Sequence, residues 1–249
     1  MNLEAWHQRY RQQASWTQAM REYLFNKIGL SPGDQLLEVG SGTGAIIESL
    51  SQTPAYHLTG IDIELPGLRF TRRSLPQSLL AVADGHHLPF RNNVFSIAYC
   101  HYLLMWVDDP MRIIREMQRV TRSGGWVMAL AESDHAGRID YPPPLDDLGH
   151  LQTRALGNQG VDIKMGRKLR SIFNQSDLDE VESGILGAQW RSKADHSLDE
   201  IEWAVVHSDL DDTLSKDKLA RFQDADQSAH LEGSRVLFIP TFYAIGRVK

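Results

Sequence analysis

Cysteine is nearly absent. Cys100 is the single one in 249 residues, so an internal disulfide is excluded and a reducing compartment is expected. No apolar run approaches the roughly 20 residues that cross a bilayer, which argues against a membrane partner. Positive charge is also scarce: 26 Lys and Arg against 32 Asp and Glu leave a net charge of −6. Binding to a phosphate backbone needs a basic face, so nucleic acid is not expected as a partner. A local basic group, Arg69, Arg72 and Arg73, reads as a solvated helix surface. The segment Met1 to His7 has neither the basic start nor the apolar stretch of a secretion signal, and a cytoplasmic protein is expected. There is no internal repeat and no low-complexity tail.

What is present is an ordinary globular composition, 42% hydrophobic and 23% charged, long enough for one domain with insertions or for two. A single domain over 1–249, monomeric or homodimeric, is the expectation. Its organising stretch is Gln35 to Ala45, a short apolar strand followed by Gly40-Ser41-Gly42-Thr43-Gly44 and a helix beginning Ala45-Ile46-Ile47. Three glycines at alternate positions allow a sharp turn and leave no Cβ between backbone and ligand. The helix after them aims unsatisfied N–H groups at the same spot, so this loop is the expected cofactor site.

In chain order, residues 1–29 read as helical, with Trp6, Tyr10, Trp16, Met20, Leu24 and Ile28 at mostly helical spacing and Gly29 ending the segment. The aromatics pack on the domain or form a lid over the site. Strands are expected at 56–63, 79–83, 94–99 and 126–131, with helices at 45–50, ending before Pro54, and at 65–75. A further helix is capped by Asp109 with Pro110 at its first position. Strands too apolar to be half exposed, alternating with helices, predict a parallel sheet covered on both faces. Residues 132–163 read as an insertion or active-site loop. Helices at 166–174, 198–206 and 216–230 follow, with strands at 181–190 and 236–248; Pro240 predicts a bulge or edge, and the acidic run 209–212 a solvated loop.

The glycine pattern alone also fits the G-x-G-x-x-A variant of the dinucleotide fingerprint, so an NAD-dependent oxidoreductase stays open at this point. Three features narrow the choice: Glu38 precedes the first glycine, Gly44 adds a third alternating glycine, and Asp84 ends the third strand. Asp62, which ends the second strand 20 residues beyond Gly42, is shared with dinucleotide sites. Glu38, Asp62 and Asp84 all lie at the carboxyl ends of strands, along the crevice where open α/β sheets bind ligands.

With those residues the chain resembles the class I S-adenosylmethionine-dependent methyltransferases over nearly its whole length. Leu36 to Gly44 is similar to the family's E/D-x-G-x-G-x-G motif, Gly60-Ile61-Asp62-Ile63 to its second motif, and Ala83 to Phe90 to its "D-A-x-x-L-P-F" segment. Arg115 to Trp126 resembles the segment entering strand five, with Ser123 where proline is usual, and Phe238 to Arg247 the last, antiparallel strand. The resemblance implies a Rossmann-like three-layer α/β sandwich, with a seven-stranded, mostly parallel sheet and an antiparallel last strand. It is capped by a helical N-terminal segment (1–29) and by insertions at 132–163 and 198–230 that enclose the acceptor, over a cofactor-binding core at 30–131.

The resemblance further implies S-adenosylmethionine as cofactor and methyl transfer to a small-molecule acceptor by in-line displacement. A non-catalytic protein binding the same cofactor remains the other reading. Gly40, Ser41, Gly42 and Gly44, with Glu38, would pass under the methionine part, Asp62 would hold the ribose hydroxyls, and Ile63 would pack on the adenine. Asp84 and the Gly85 N–H would meet the adenine edge, and the backbone at Cys100 and His101 would meet the amino group. Arg21 is assigned to the cofactor carboxylate. His101 is the candidate base, needed only if the acceptor is protonated in its reactive form. Tyr10, Trp16, Tyr102, His135 and Tyr141 are the candidate acceptor-site residues. His86, His87, Glu132, Asp134 and His135 lack the ligand spacing of a zinc site, and no metal is expected.

Overall fold

The computed structural model describes residues 2–52, 56–185, 196–210 and 213–249. Two helices open the chain, α1 (Leu3–Trp16), capped by the Asn2 side chain on the Ala5 N–H at 2.9 Å, and α2 (Gln18–Ile28), closed by Gly29 in the left-handed region. The helical segment expected over 1–29 is thus two helices, divided at Thr17. The physical reason is local: the Thr17 hydroxyl lies 3.2 Å from the Ala14 carbonyl, and a side chain that bonds the preceding turn competes with the helical ladder.

The core elements follow: β1 (Gln35–Val39), α3 (Ala45–Ser51), β2 (His57–Asp62), α4 (Leu65–Ser74), β3 (Leu79–Val82), β4 (Phe95–Cys100), α5 (Pro110–Val120) and β5 (Thr121–Ser133). As expected, Asp109 caps α5, accepting from the Arg112 N–H at 2.9 Å, and Pro110 fills the first helical position. The rest comprises β6 (Ile139–Tyr141), α6 (Leu145–Asn158), α7 (Met165–Asn174), β7 (Leu178–Ile185), α8 (His196–Leu210), α9 (Lys216–Leu231), β8 (Val236–Phe238) and β9 (Thr241–Val248).

Seven strands form one sheet in the order β3-β2-β1-β4-β5-β9-β7. The first five are parallel, and β9 runs antiparallel to both β5 and β7. The chain starts at β1 and winds outward in both directions, so the crevice for a ligand lies at the carboxyl ends of β1 and β4.

Successive strand residues serve opposite faces. Leu37, Val39, Ala98, Cys100, Val127 and Ala129 pack with Ile113 and Met117 of α5 and Leu169 and Phe173 of α7. Their neighbours Leu36, Ile97, Tyr99, Met128 and Leu130 pack with Leu24 and Phe25 of α2 and Ile46 of α3. Burying one such aliphatic side chain contributes about 1.5–3 kcal/mol, and burial on both faces gives the continuous apolar strands read from the sequence.

Three expectations need correction. Residues 132–163 are an insertion with its own elements and not a loop, because β6 and the whole of α6 fall there, and α6 joins α8 and α9 through Leu145, Leu148, Trp203, Leu219 and Phe222 in a separate helical core. The strand expected over 181–190 begins at Leu178; residues 186–190 lie outside those described, as do Pro54 and part of the acidic run 209–212. The final strand is two strands. Pro240 has no N–H to give a ladder, and before it β8 pairs with β6 in a two-stranded sheet, whereas β9 enters the main one.

Candidate functional site

The glycine loop is anchored from below and open from above. The N–H groups of Gly40 and Ser41 both donate to the Ile61 carbonyl, at 2.9 and 2.8 Å, tying the turn to β2. Gly40, Gly42 and Gly44 have φ of 75, 51 and 79°, the left-handed region that a side chain disfavours. The Gly42 N–H donates to Asp62 Oδ2 at 2.7 Å, and the Glu64 N–H donates to Oδ1 at 2.8 Å. Each carboxylate oxygen keeps a second lone pair, so Asp62 can brace the loop and still accept from ligand hydroxyls.

Gly67 of α4 escaped the sequence reading. A Cβ there would lie 2.5 Å from the Gly42 carbonyl oxygen, so the helix backbone rests directly on the loop. The signal was available as a glycine inside an amphipathic helix, a position that disfavours the helix unless something approaches closely.

Around the loop, Ile63 is 67% exposed at the end of β2, and the Asp84 carboxylate lies beyond β3. Asp84 Oδ1 accepts from the His86 N–H at 2.9 Å and lies 2.7 Å from His86 Nδ1, which holds the carboxyl below its usual range. Gly85 sits against Val39 and Ile113. Together these offer a carboxylate, an apolar face and a free edge, suited to a flat ring joined to a diol.

Beneath the loop the environment is dry. Glu38 is 2% exposed and accepts from the Tyr99 hydroxyl at 3.2 Å; burial outweighs that bond and the nearby Arg21, pushing the carboxyl up to about 8. Cys100 is fully buried, and its thiol is driven well above its usual value by burial, so only its backbone can serve a ligand. The Ser41 hydroxyl is buried without a hydrogen-bond partner against β2, 2.9 Å from where a Cβ on Gly60 would lie. Arg21 is turned inward, where its guanidinium donates to the Ala14 carbonyl and to Thr17 Oγ1. That geometry engages it at the α1–α2 junction and in the field at Glu38.

The first helix roofs the loop. His7 Nδ1 lies 2.9 Å from Thr43 Oγ1, its ring 4.6 Å from that of Phe70. A Cβ on Gly42 would meet only the Tyr10 ring, at 3.8 Å, so the space above Gly42 is bounded by Tyr10. Burial and the Asp62 charge raise the Tyr10 phenol. His7 and Thr43 carried no signal in the sequence, because the contact joins residues of two separate elements.

On the other side of the crevice stand His101 and Tyr102, straight after β4. Tyr102 has φ 52°, a strained conformation for a residue with a side chain, and burial raises its phenol. Glu132 fixes this segment, accepting from the N–H groups of Leu103, Leu104 and Met105 at 2.9, 2.8 and 3.2 Å. His101 Nε2 lies 2.8 Å from Thr17 Oγ1; burial and Arg21 lower the imidazole to about 3. A group that weakly basic is poorly matched to proton abstraction near neutrality, which corrects its reading as a general base.

His135 has its Nδ1 buried and unpartnered, and burial with Arg138 lowers it to about 4. Trp16 is 49% exposed and carries the Arg9 guanidinium 4.7 Å from its ring centroid; Arg9 in turn pairs with Glu202 of α8. Tyr141, 52% exposed, lies on the two-stranded sheet, where its carbonyl accepts from Arg235. Glu132 is engaged in the three backbone bonds, and Asp134 pairs with Arg167.

The family described as "Methyltransferase domain" matches residues 37–129. Among curated proteins, a demethylmenaquinone methyltransferase of Corynebacterium urealyticum is 36% identical over 113 residues, 45% of this chain and 47% of that protein. One of Renibacterium salmoninarum is 29% identical over 167 residues, 65% of this chain and 70% of that protein. The chain therefore spans about half the length of the first relative. Among solved structures, the YcgJ protein of Bacillus subtilis superimposes with a TM-score of 0.59 at 15% identity, covering 93% of this chain and 98% of that one. That likeness is one of fold.

Proposed function

We propose, from the premise that the chain belongs to the class I S-adenosylmethionine-dependent methyltransferases, that it methylates a small-molecule acceptor. The observation that carries the reading is the cradle between Gly42 and Tyr10, flanked by Asp62 and Ile63. When bound, S-adenosylmethionine supplies a methyl group already activated by positive sulfur. What remains for the protein is alignment of the acceptor and exclusion of water, and good alignment lowers such barriers by on the order of 7–11 kcal/mol.

In this reading Asp62 accepts from the ribose hydroxyls, Ile63 covers the adenine, and Asp84 with the Gly85 N–H meets its edge. Gly40, Ser41, Gly42 and Gly44 bear the methionine portion, with Glu38 below. The Cys100 and His101 backbone faces its amino group. Tyr10 closes the roof. The acceptor is enclosed by Tyr102, His135 and Trp16, with the helical cap of α6, α8 and α9 and the edge at Tyr141 as the outer wall.

The charge of −6 supports a free small molecule rather than nucleic acid as acceptor, and the single buried cysteine supports a cytoplasmic setting; the chain acts as a monomer or homodimer in this reading. No helix among the described residues is long and apolar enough to cross a membrane.

The test is thermal unfolding with S-adenosylhomocysteine against NADH. At a hundredfold excess over its Kd, a ligand specific to the folded state contributes about 2.7 kcal/mol, which raises the midpoint by several degrees. A shift with NADH alone would overturn the assignment.

A further inference from the structure

Thr17 interrupts the two N-terminal helices, and its hydroxyl is a crossing point of four groups. Arg21 Nη1 lies 2.7 Å from Thr17 Oγ1 and can only donate. The carbonyls of Ala14 and Gln13, at 3.2 and 3.4 Å, can only accept. His101 Nε2, at 2.8 Å, can do either.

A threonine hydroxyl has one proton and two lone pairs. If that proton goes to His101, the helix carbonyls lose their bond to the hydroxyl and a buried lone pair is left idle. If it goes to the Ala14 carbonyl, the two lone pairs receive Arg21 and a protonated Nε2, so the proton and both lone pairs are used and only the 3.4 Å contact to the Gln13 carbonyl goes without a proton. Buried polar groups favour the better satisfied arrangement. The Arg21 cation nearby also disfavours a second proton on the ring.

The structure assigns His101 to the neutral Nε2–H tautomer, set by Thr17, so that Nδ1 is a lone-pair acceptor that orients a protic acceptor molecule, one bearing an O–H or N–H. His101 has one hydrogen bond to a protein group among the described residues, through Nε2, and none through Nδ1, and it is half-buried with its ring edge-on to that of the strained Tyr102. Thr17 is then a positioning residue acting through His101. The substrate class is narrowed to hydroxyl- or amine-bearing molecules in their neutral form, whose N–H or O–H can point at Nδ1 while the reacting lone pair faces the methyl donor. The inference rests on the methyltransferase reading for its purpose, but the tautomer stands or falls by itself.

The experiment is long-range proton–nitrogen NMR of the full chain labelled with 15N-histidine, alone and with S-adenosylhomocysteine. The His101 resonances are assigned by their loss in His101→Gln. The wild type is expected to show a bare Nδ1 and a protonated Nε2. Thr17→Val leaves Nε2–H without a partner and shifts the tautomer ratio by about tenfold or more, the scale of a lost buried hydrogen bond. Thr17→Ser restores the wild-type pattern, a rescue that a purely structural role for the methyl group would not give. Phenol, a neutral protic probe, moves the Nδ1 resonance, and anisole, which lacks the proton, does not.

A wild-type ring protonated at Nδ1 overturns the proposal, as does an unchanged spectrum in Thr17→Val or an equal response to phenol and anisole. If Thr17→Val does not fold, the wild-type tautomer and the phenol–anisole comparison decide. Failure of S-adenosylhomocysteine to raise the unfolding midpoint would instead count against the methyltransferase reading, leaving the tautomer result intact.

Discussion

His7 on α1 and Thr43 in the glycine loop meet through Nδ1 and Oγ1 at 2.9 Å, so the roof of the site and its floor are joined by a direct bond. Closure over a ligand at Gly42 is therefore coupled to the order of the first helix.

His7→Ala should loosen this junction. A buried hydrogen bond contributes about 1 kcal/mol, so affinity for S-adenosylhomocysteine is expected to fall about fivefold in calorimetry. Unchanged affinity would mean that the helix does not contribute to closure.

Asp62→Ala removes both the loop brace and the expected partner of the ribose. Cofactor binding should weaken by about 1–3 kcal/mol, as for lost charge-assisted bonds, together with a lower unfolding midpoint from the freed Gly42 and Glu64 N–H groups. Asp62→Asn, which can still accept, should fall between the two. Calorimetry and denaturant titration separate the two effects.

Gly67→Ala tests the contact between α4 and the loop. The new Cβ would lie 2.5 Å from a backbone oxygen of Gly42 that cannot swing away, and overpacking of that kind costs about 1–3 kcal/mol. Elsewhere in a helix alanine would stabilise. A more stable variant with intact binding would show that the helix can retreat.

Asp140 sits between two buried guanidinium groups, Arg138 and Arg235, its own side chain 1% exposed. Arg235 continues to Asp226, which also accepts from the Trp203 indole at 3.0 Å, linking β6 and β8 to the helical cap. Asp140→Ala takes the carboxylate from buried Arg138 and leaves Arg235 with Asp226 alone, and should cost about 3–5 kcal/mol in urea unfolding.

Stability should decline on both sides of a mildly acidic optimum. Glu38 titrates at about 8 in the folded chain against 4.5 as reference, so the folded state holds the extra proton in between and stability falls as pH rises through that interval. His101, at about 3 against 6.5, has the opposite sign: the unfolded state holds the extra proton, and stability falls as pH drops from 6.5 toward 3. The two oppose each other between 4.5 and 6.5. Glu38→Gln should flatten the alkaline limb of denaturation midpoints and leave the acid limb; an unaltered alkaline limb would show that another group causes it.

The parallel core was legible because each strand is a short apolar run and each helix has its own start and stop signals, as at Asp109-Pro110. Boundaries were less so. Gly124-Gly125 reads as a turn, yet β5 already begins at Thr121, and α6 hid in a proline- and glycine-rich stretch whose apolar face is completed only by α8 and α9.

By itself the sequence determined the α/β sandwich, the crevice at the carboxyl ends of β1 and β4, and the acids Glu38, Asp62 and Asp84 along it. Each is a local pattern of spacing and residue type, fixed within a strand and its turn. Only the tertiary structure decided that His7 holds Thr43, that Gly67 supports Gly42, that Arg21 points inward, and that Thr17 meets His101. Those contacts join elements whose separation along the chain carries no periodicity, and they exist because packing brings the two N-terminal helices and α4 against the sheet and its loops.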